Sequence, residues 1–452
     1  MHMKQSLMHT RRALLAMVLA PTFMAVHGSD EERVRPNVVL IMADDLGYEC
    51  IGANGGVSYQ TPNIDKLADS GMRFDSCHAQ PVCTPSRVKI MTGKSNARNY
   101  VKFAHLDRSQ RTFAHEFQDA GYVTAVVGKW QLGHEDDSPI HFGFDEAMLW
   151  QHREGRTLKG QNEDTRFANP WLQQTHRDEN GKVVTELKQY TGGQYGPQVL
   201  ADYACDFIER SKDKPFLLYY PMLLTHCPFG PTPDSADWDP KSNGITEYKG
   251  DAKYFPEMMS YTDKIVGQVV AKLEEAGIRD NTLLIFTGDN GTDNPVVSKM
   301  HNGTEVVGSK RRTIDWGTNV PFIASMPSKI KSRQANDNLI DFSDIYPTIC
   351  EMAGVEINAD GKLDGVSFYP QLIGEEGNVR EWLYCFYAPS GPNGKMKKIW
   401  ARNHDYKLYD DGSFFNLAED VKEVYPLELD DMTEVQRDVM EQLGKVIAQF
   451  EQ

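Results

Sequence analysis

A chain of 452 residues, 40% hydrophobic and 25% charged, can bury a substantial core, enough for one large domain with a smaller companion or for two to three domains. Its formal net charge of −16 excludes general adhesion to nucleic acid or to an anionic membrane surface. An anionic substrate therefore needs a local cationic pocket, because the field of the whole molecule repels it.

The first 28 residues stand apart. A basic MHMKQSLMHTRR leads into an apolar ALLAMVLAPTFMAV and then into small and polar residues. This three-part pattern predicts a signal peptide over 1–28, with an apolar run too short to span a bilayer comfortably. No other segment resembles a transmembrane helix, so the expectation is an exported protein, periplasmic or secreted, with no membrane span. The seven cysteines (Cys50, Cys77, Cys83, Cys205, Cys227, Cys350 and Cys385) are odd in number and include no CxxC. They exclude a disulfide-built fold and a thiolate zinc site, and Cys83 is the candidate for an unpaired thiol.

Along the chain, apolar β-branched runs read as buried parallel strands: NVVLIMA (37–43), VTAVVG (123–128), FLLYYPML (216–223), TLLIFTG (282–288) and PFIASMP (321–327). Helical patterns such as NIDKLADSG, TFAHEFQDAG and SYTDKIVGQVVAKLEEAG lie between them and close at glycine. Alternating strands and helices predict an α/β fold with a large, mostly parallel sheet flanked by helices. Residues 151–196 read as a polar insertion at the sheet's edge or over a site, with a hairpin around DENG. Past GEEGN, strand-like pieces (LYCFYA, KKIWARN, YKLYD, SFFNL) precede a final helix. In that helix Thr433 and Gln436 have capping-box spacing, and Val435, Val439, Leu443, Val446 and Phe450 form one apolar stripe. The predicted division is a catalytic α/β domain over 34–375 and a small C-terminal α+β subdomain over 379–452.

In an open α/β sheet, ligands bind beyond the carboxyl ends of the strands. After NVVLIMA come Asp44 and Asp45, and after TLLIFTG come Asp289 and Asn290. Together they can form an oxygen cage for a hard divalent cation, although Asp and Asn before Gly are also ordinary turn residues. Lys129 follows VTAVVG and can meet an anion, or be a surface lysine. His226 follows FLLYYPMLLT and can protonate a leaving group, or be structural. Lys310, Arg311 and Arg312 precede PFIASMP.

The stretch PVCTPSR (81–87) reads as a helix start with Thr84 as N-cap and Pro85 at the first helical position. Cys83 then stands at the mouth of a helix N-terminus, where free N–H groups favour an anion or a thiolate. Arg87, one turn in, adds a bidentate donor suited to a tetrahedral oxyanion. A plain catalytic cysteine is one reading, but a thiolate is a poor ligand for an oxygen-type metal cage.

CTPSR resembles the Cys-x-Pro-Ser-Arg signature of the sulfatases, and GYVTAVVGKWQLG resembles that family's second signature. PNVVLIMADDLG, THCPF, NTLLIFTGDNG and SKRRTIDWGTNVPFI fall in family order, so the resemblance covers roughly residues 35–425. It implies an alkaline-phosphatase-like fold and an exported hydrolase of sulfate monoesters acting on a sulfated small molecule or saccharide. It also implies that a maturase, a transient partner, converts Cys83 to formylglycine, whose hydrate attacks sulfur. Asp44, Asp45, Asp289, Asn290 and the modified Cys83 would bind Ca²⁺, in preference to Mg²⁺. Arg87 would hold the aldehyde hydrate, Lys129 and Lys310 the sulfate oxygens, and His226 the leaving oxygen.

One position departs from the family pattern: Gln131 stands where the second signature has histidine, and glutamine cannot titrate. His134 is the candidate for a substitute base. Arg98, Lys102, Arg311, Arg312 and the 151–196 insertion are candidates for reading the organic part of the substrate. The alternatives are a phosphonate or phosphate monoester hydrolase of the same superfamily, or a non-catalytic sulfated-glycan-binding relative.

Overall fold

The apolar runs of the sequence are strands, and a computed structural model describes them within residues 35–150, 166–242, 244–358 and 362–450. The expected signal peptide and residues 151–165 of the insertion lie outside the described residues. In chain order the strands are β1 (Asn37–Ala43), β2 (Met72–His78), β3 (Val123–Lys129), β4 (Glu146–Trp150), β5 (Trp171–Arg177), β6 (Val183–Gln189), β7 (Phe216–Pro221) and β8 (Thr282–Gly288). A short hairpin of β9 (Val297–Lys299) and β10 (Glu305–Val307) stands apart and precedes β11 (Asn319–Ser325) and β12 (Gln334–Asp341).

Ten strands form one sheet in the order β12-β2-β11-β8-β1-β7-β3-β4-β5-β6. The centre, β8-β1-β7-β3-β4, is wholly parallel, as continuous apolar runs require. Its flanks are mixed: β11 runs antiparallel to both β8 and β2, and β5 antiparallel to β4. The expected hairpin is β5–β6, turning through Asp178, whose Oδ1 accepts from the backbone N–H groups of Asn180 and Lys182 at 2.9 Å. It extends the sheet at its edge.

Side chains alternate across β1, so Val38, Leu40 and Met42 enter one core while Val39, Ile41 and Ala43 enter the other. Helices Cys83–Thr92, Phe113–Asp119 and Ile345–Ala353 cover the first face. Helices Pro62–Asp69, Gly196–Ser211 and Phe255–Glu275 cover the second. The result is three layers of helix, sheet and helix.

Past residue 382 a separate antiparallel sheet forms from β13 (Leu383–Tyr387), β14 (Lys398–Arg402), β15 (Tyr406–Tyr409) and β16 (Phe414–Asn416). Helix Glu434–Ala448 packs on one face, started by the Thr433–Gln436 capping box that the sequence predicts. Four residues of its expected apolar stripe, Val439, Leu443, Val446 and Phe450, pack into the core on this face, and only Val435 departs from it. Burial concentrates in the second half, at Leu443, Val446 and Ile447, whereas Val435 in the first turn is 67% exposed. The other face of this sheet presents Cys385, Tyr387 and Trp400 to a core shared with Val82 and Cys83. The small sheet is therefore a wall behind Cys83.

Candidate active site

The register of β1 against β8 sets the centre of the site. Ala43 lies beside Gly288, so the residues that follow emerge together at one rim of the sheet. Asp289 N–H donates to the Ala43 carbonyl at 3.0 Å, and Asp45 N–H donates to Asp289 Oδ1 at 3.0 Å. Asn290 Nδ2 donates to Asp45 Oδ1 at 2.8 Å. Asp45 has φ of +59°, a left-handed conformation that aspartate tolerates better than most residues. The side chains of Asp44, Asp45, Asp289 and Asn290 are all buried.

Three cations face these carboxylates. Lys129 Nζ lies 2.5 Å from Asp44 Oδ2, and Lys310 Nζ lies 2.6 Å from Asp45 Oδ2. Arg87 donates from Nη2 to Asp289 Oδ2 at 2.9 Å and from Nη1 to the Lys129 carbonyl at 2.7 Å. Burial pushes the Asp44 carboxyl up, but Lys129, Arg87 and Lys310 together bring it below its usual value. Asp45 is left above its usual value, because burial outweighs Lys310. Asp289 is pushed up to about 7, by burial first and then by the neighbouring charge of Asp44.

The helix behind Arg87 begins two residues earlier than its sequence suggests. Cys83 is its first residue and Val82 its N-cap, so Thr84 and Pro85 are inside the first turn. No side chain caps this helix; Ser86 Oγ accepts from Gln80 N–H at 2.9 Å and donates to the Val82 carbonyl at 3.3 Å, holding the loop that leads into it. Thr84 Oγ1 instead accepts from Ala104 N–H at 3.2 Å, tying down the neighbouring loop. The Cys83 thiol is buried, and burial raises its pKa despite the opposing pull of Lys129 and Lys310. A thiol held neutral is a poor nucleophile. All seven cysteines are free.

His226 completes the inner ring, with Nε2 3.6 Å from Asp45 Oδ2 and Nδ1 2.5 Å from the Cys227 carbonyl oxygen. Burial, and then Lys310, Lys129 and Arg166, hold its pKa well below the ordinary value. Arg166, which the sequence did not single out, reaches His226 Nδ1 with Nη1 at 3.0 Å.

Cys83, His226, Lys310, Arg311, Arg166 and Gln131 line one cavity of about 440 Å³. Gln131 has φ of +55°, and its Oε1 is buried without a hydrogen-bond partner. The other candidates for substrate contact fall outside this lining. Arg98 pairs with Asp364 in a different groove, and Lys102 forms an isolated bridge with His105. Arg312 is exposed, with its N–H turned to the Ser309 carbonyl, and His134 does not line the cavity. The two arginines that follow Lys310 thus diverge: backbone bonding of Arg311 N–H to the Pro81 carbonyl at 2.7 Å keeps only Arg311 at the mouth.

The donor set fits a hard cation. Asp44, Cys83 and Asp289 each offer an atom within 4.8 Å of the others, as do Asp44, Asp45 and His226. Two further buried oxygens, Asp44 Oδ1 and Asn290 Oδ1, accept no hydrogen bond. Carboxylates crowded enough to repel one another, and flanked by unsatisfied oxygens, are what a calcium-type ion stabilises.

The sulfatase family model matches residues 36–355, and the model for N-sulphoglucosamine sulphohydrolase, C-terminal, matches residues 307–449. Arylsulfatase G of Rattus norvegicus is 31% identical over 418 residues, spanning 83% of this chain and 76% of the relative. N-acetylgalactosamine-6-sulfatase of Mus musculus is 27% identical over 442 residues, spanning 91% of this chain and 80% of the relative. The crystal structure of the PsFucS1 sulfatase from Pseudoalteromonas sp. superimposes with a TM-score of 0.70 at 25% identity, over 92% of this chain and 89% of that one. This chain belongs to the sulfatase family and is a sulfuric ester hydrolase of alkaline-phosphatase-like fold.

Proposed function

We propose that this is an exported sulfatase, periplasmic or secreted, that removes sulfate from sulfated carbohydrates. It acts through a formylglycine made from Cys83 by a maturase and through a calcium ion held by Asp44, Asp45, Asp289, Asn290 and the modified residue. The carbohydrate class rests on the name of the relative that acts on N-acetylgalactosamine-6-sulfate and on a cavity open enough for a sugar ring. Within this reading the chain divides into a signal peptide (1–28), a catalytic domain (34–375) and a C-terminal subdomain (379–452).

The observation that carries the reading is a buried Cys83 thiol, its pKa raised by burial, set beside the carboxylates of Asp44 and Asp289 in a cluster able to hold a cation. Sulfur is the wrong element there and an oxygen nucleophile the right one. Formylglycine would supply a hydroxyl nucleophile, and the cation would stabilise negative charge on the sulfuryl oxygens.

The remaining work belongs to the chain's own residues. Arg87, fixed at both Nη atoms, holds the rim of the nucleophile's pocket rigid. Lys129 and Lys310 supply positive charge to the non-bridging sulfate oxygens, and Asp45 helps keep Lys310 protonated against the cost of burial. His226 stands beside the leaving oxygen, to protonate or polarise it. Gln131 offers an amide to the nucleophile where a base is usual, so it orients without taking a proton.

The test is sulfate release from a panel of sulfated saccharides, run beside an aryl sulfate and an aryl phosphonate. Sulfate release with little phosphonate cleavage is expected. Faster phosphonate cleavage would select the rival hydrolase, and binding without turnover the non-catalytic relative.

A further inference from the structure

The cavity holds more positive charge than one sulfate group requires. Lys310 is committed to Asp45, but among the described residues Arg166 and Arg311 have no carboxylate partner and no acidic residue lines the cavity. Arg311 is exposed, where an unpaired guanidinium is ordinary. Arg166 is not: it is 8% exposed and its Nε is buried without an acceptor. Its guanidinium carbon lies 4.3 Å from the centre of the Trp150 ring, and its only hydrogen bond among the described residues goes to His226. A buried cation with no counter-ion is costly unless something arriving from solvent supplies one.

Trp150 fixes the plane of the guanidinium, leaving its edge as a preorganised fork for a carboxylate or sulfate. Around the mouth stand Phe103, Tyr248 and Met396, 36%, 47% and 54% exposed, an amphipathic rim of the kind that receives the apolar face of a sugar ring.

Resting on the saccharide reading above, we infer that Arg166, with Arg311, forms a subsite for a second anionic group of the substrate, beside the sulfate being cleaved. The preferred substrate is thus a saccharide carrying two negative groups. The second is a carboxylate or another sulfate, which share the chemistry that a guanidinium fork recognises. Arg166 is a specificity-determining residue, and its contact with His226 places the second anion next to the leaving oxygen.

The experiment compares kcat/KM for matched pairs with the mature enzyme: a hexosamine bearing one sulfate ester against the same sugar bearing two, and a sulfated uronic acid against its methyl ester. The doubly charged member of one pair is expected to be favoured by about tenfold or more, and which pair shows it identifies the second anion. In Arg166→Gln that ratio collapses towards unity, and the desulfated product that keeps its second anion inhibits about tenfold more weakly. Equal kcat/KM within both pairs in the unaltered enzyme overturns the proposal even if the variant does not fold, and so does a preference that survives Arg166→Gln. Arg166→Lys, which retains charge but loses the fork, should keep only part of the preference. If no sulfated saccharide is turned over at all, the saccharide reading itself fails. If the singly sulfated sugar is turned over with no preference, only the second-anion subsite fails.

Discussion

Arg87 shows how one side chain joins fold to chemistry. It is fully buried and bonds both Asp289 and the last carbonyl of β3, so it ties two strand ends together. Lysine at this position cannot span both partners and leaves Asp289 short of a counter-charge. Arg87→Lys is expected to destabilise the protein by about 3 kcal/mol, measured by denaturant unfolding. Turnover should fall by about 100-fold or more. His78 makes a different prediction. It is buried and its pKa is lowered to about 3, by burial first and then by Arg402. The unfolded chain takes up a proton near pH 6.5 that the folded chain refuses, so stability is present above that value and falls with pH below it. Between about pH 6.5 and about pH 5, His78 should account for about 2 kcal/mol of lost stability. Thermal or chemical unfolding of His78→Asn across that range should show a correspondingly shallower slope.

At the scale of elements, the strand register is what makes the site. Gly128 shows how tightly it is held: its φ is +126°, and a Cβ there would stand 1.9 Å from the Pro221 carbonyl oxygen of β7. Gly128→Ala should cost about 3 kcal/mol and displace Lys129, the next residue, so activity falls with stability. Gly181 in the β5–β6 turn is the control, with φ of +77° and open space around its Cβ, and Gly181→Ala should cost only about 1 kcal/mol without loss of activity. Unfolding and turnover of the two variants side by side check this.

The central strands were legible because a strand buried on both faces leaves a continuous apolar run, as in NVVLIMA and TLLIFTG. β2 (MRFDSCH) and β12 (QANDNLID) were not, because they alternate polar residues and carry register shifts. Asp44, Asp45, Asp289 and Asn290 were readable because they immediately follow strands, and Lys129 because it ends one. Arg166 carried no such signal: it lies in a polar segment past β4, and only the fold brings it against Trp150 and His226. The misplaced N-cap has a similar cause, since Thr84 has the right chemistry but its hydroxyl is occupied by the Ala104 loop.

For the whole molecule, charge at two scales acts in opposition. The net charge of −16 repels an anionic substrate at long range, while the cavity gathers Lys310, Arg166 and Arg311 with no acidic lining residue among the described residues. Salt screens the long-range field far more than the buried cations. Raising ionic strength from about 10 mM to about 150 mM should therefore increase kcat/KM for a singly sulfated substrate by about twofold. A decrease over that range would mean that the cavity's field, not the molecule's, governs capture. The small C-terminal sheet also belongs to the site, because its Tyr387 and Trp400 share a core with Cys83. The whole construction converges on the chemical identity of residue 83. Mass spectrometry of the peptide containing it, from enzyme purified from its native host and assayed in the same preparation, is the most direct measurement. The aldehyde or its hydrate is expected at position 83, in proportion to sulfate-releasing activity. Full activity with an unmodified thiol would contradict the formylglycine reading.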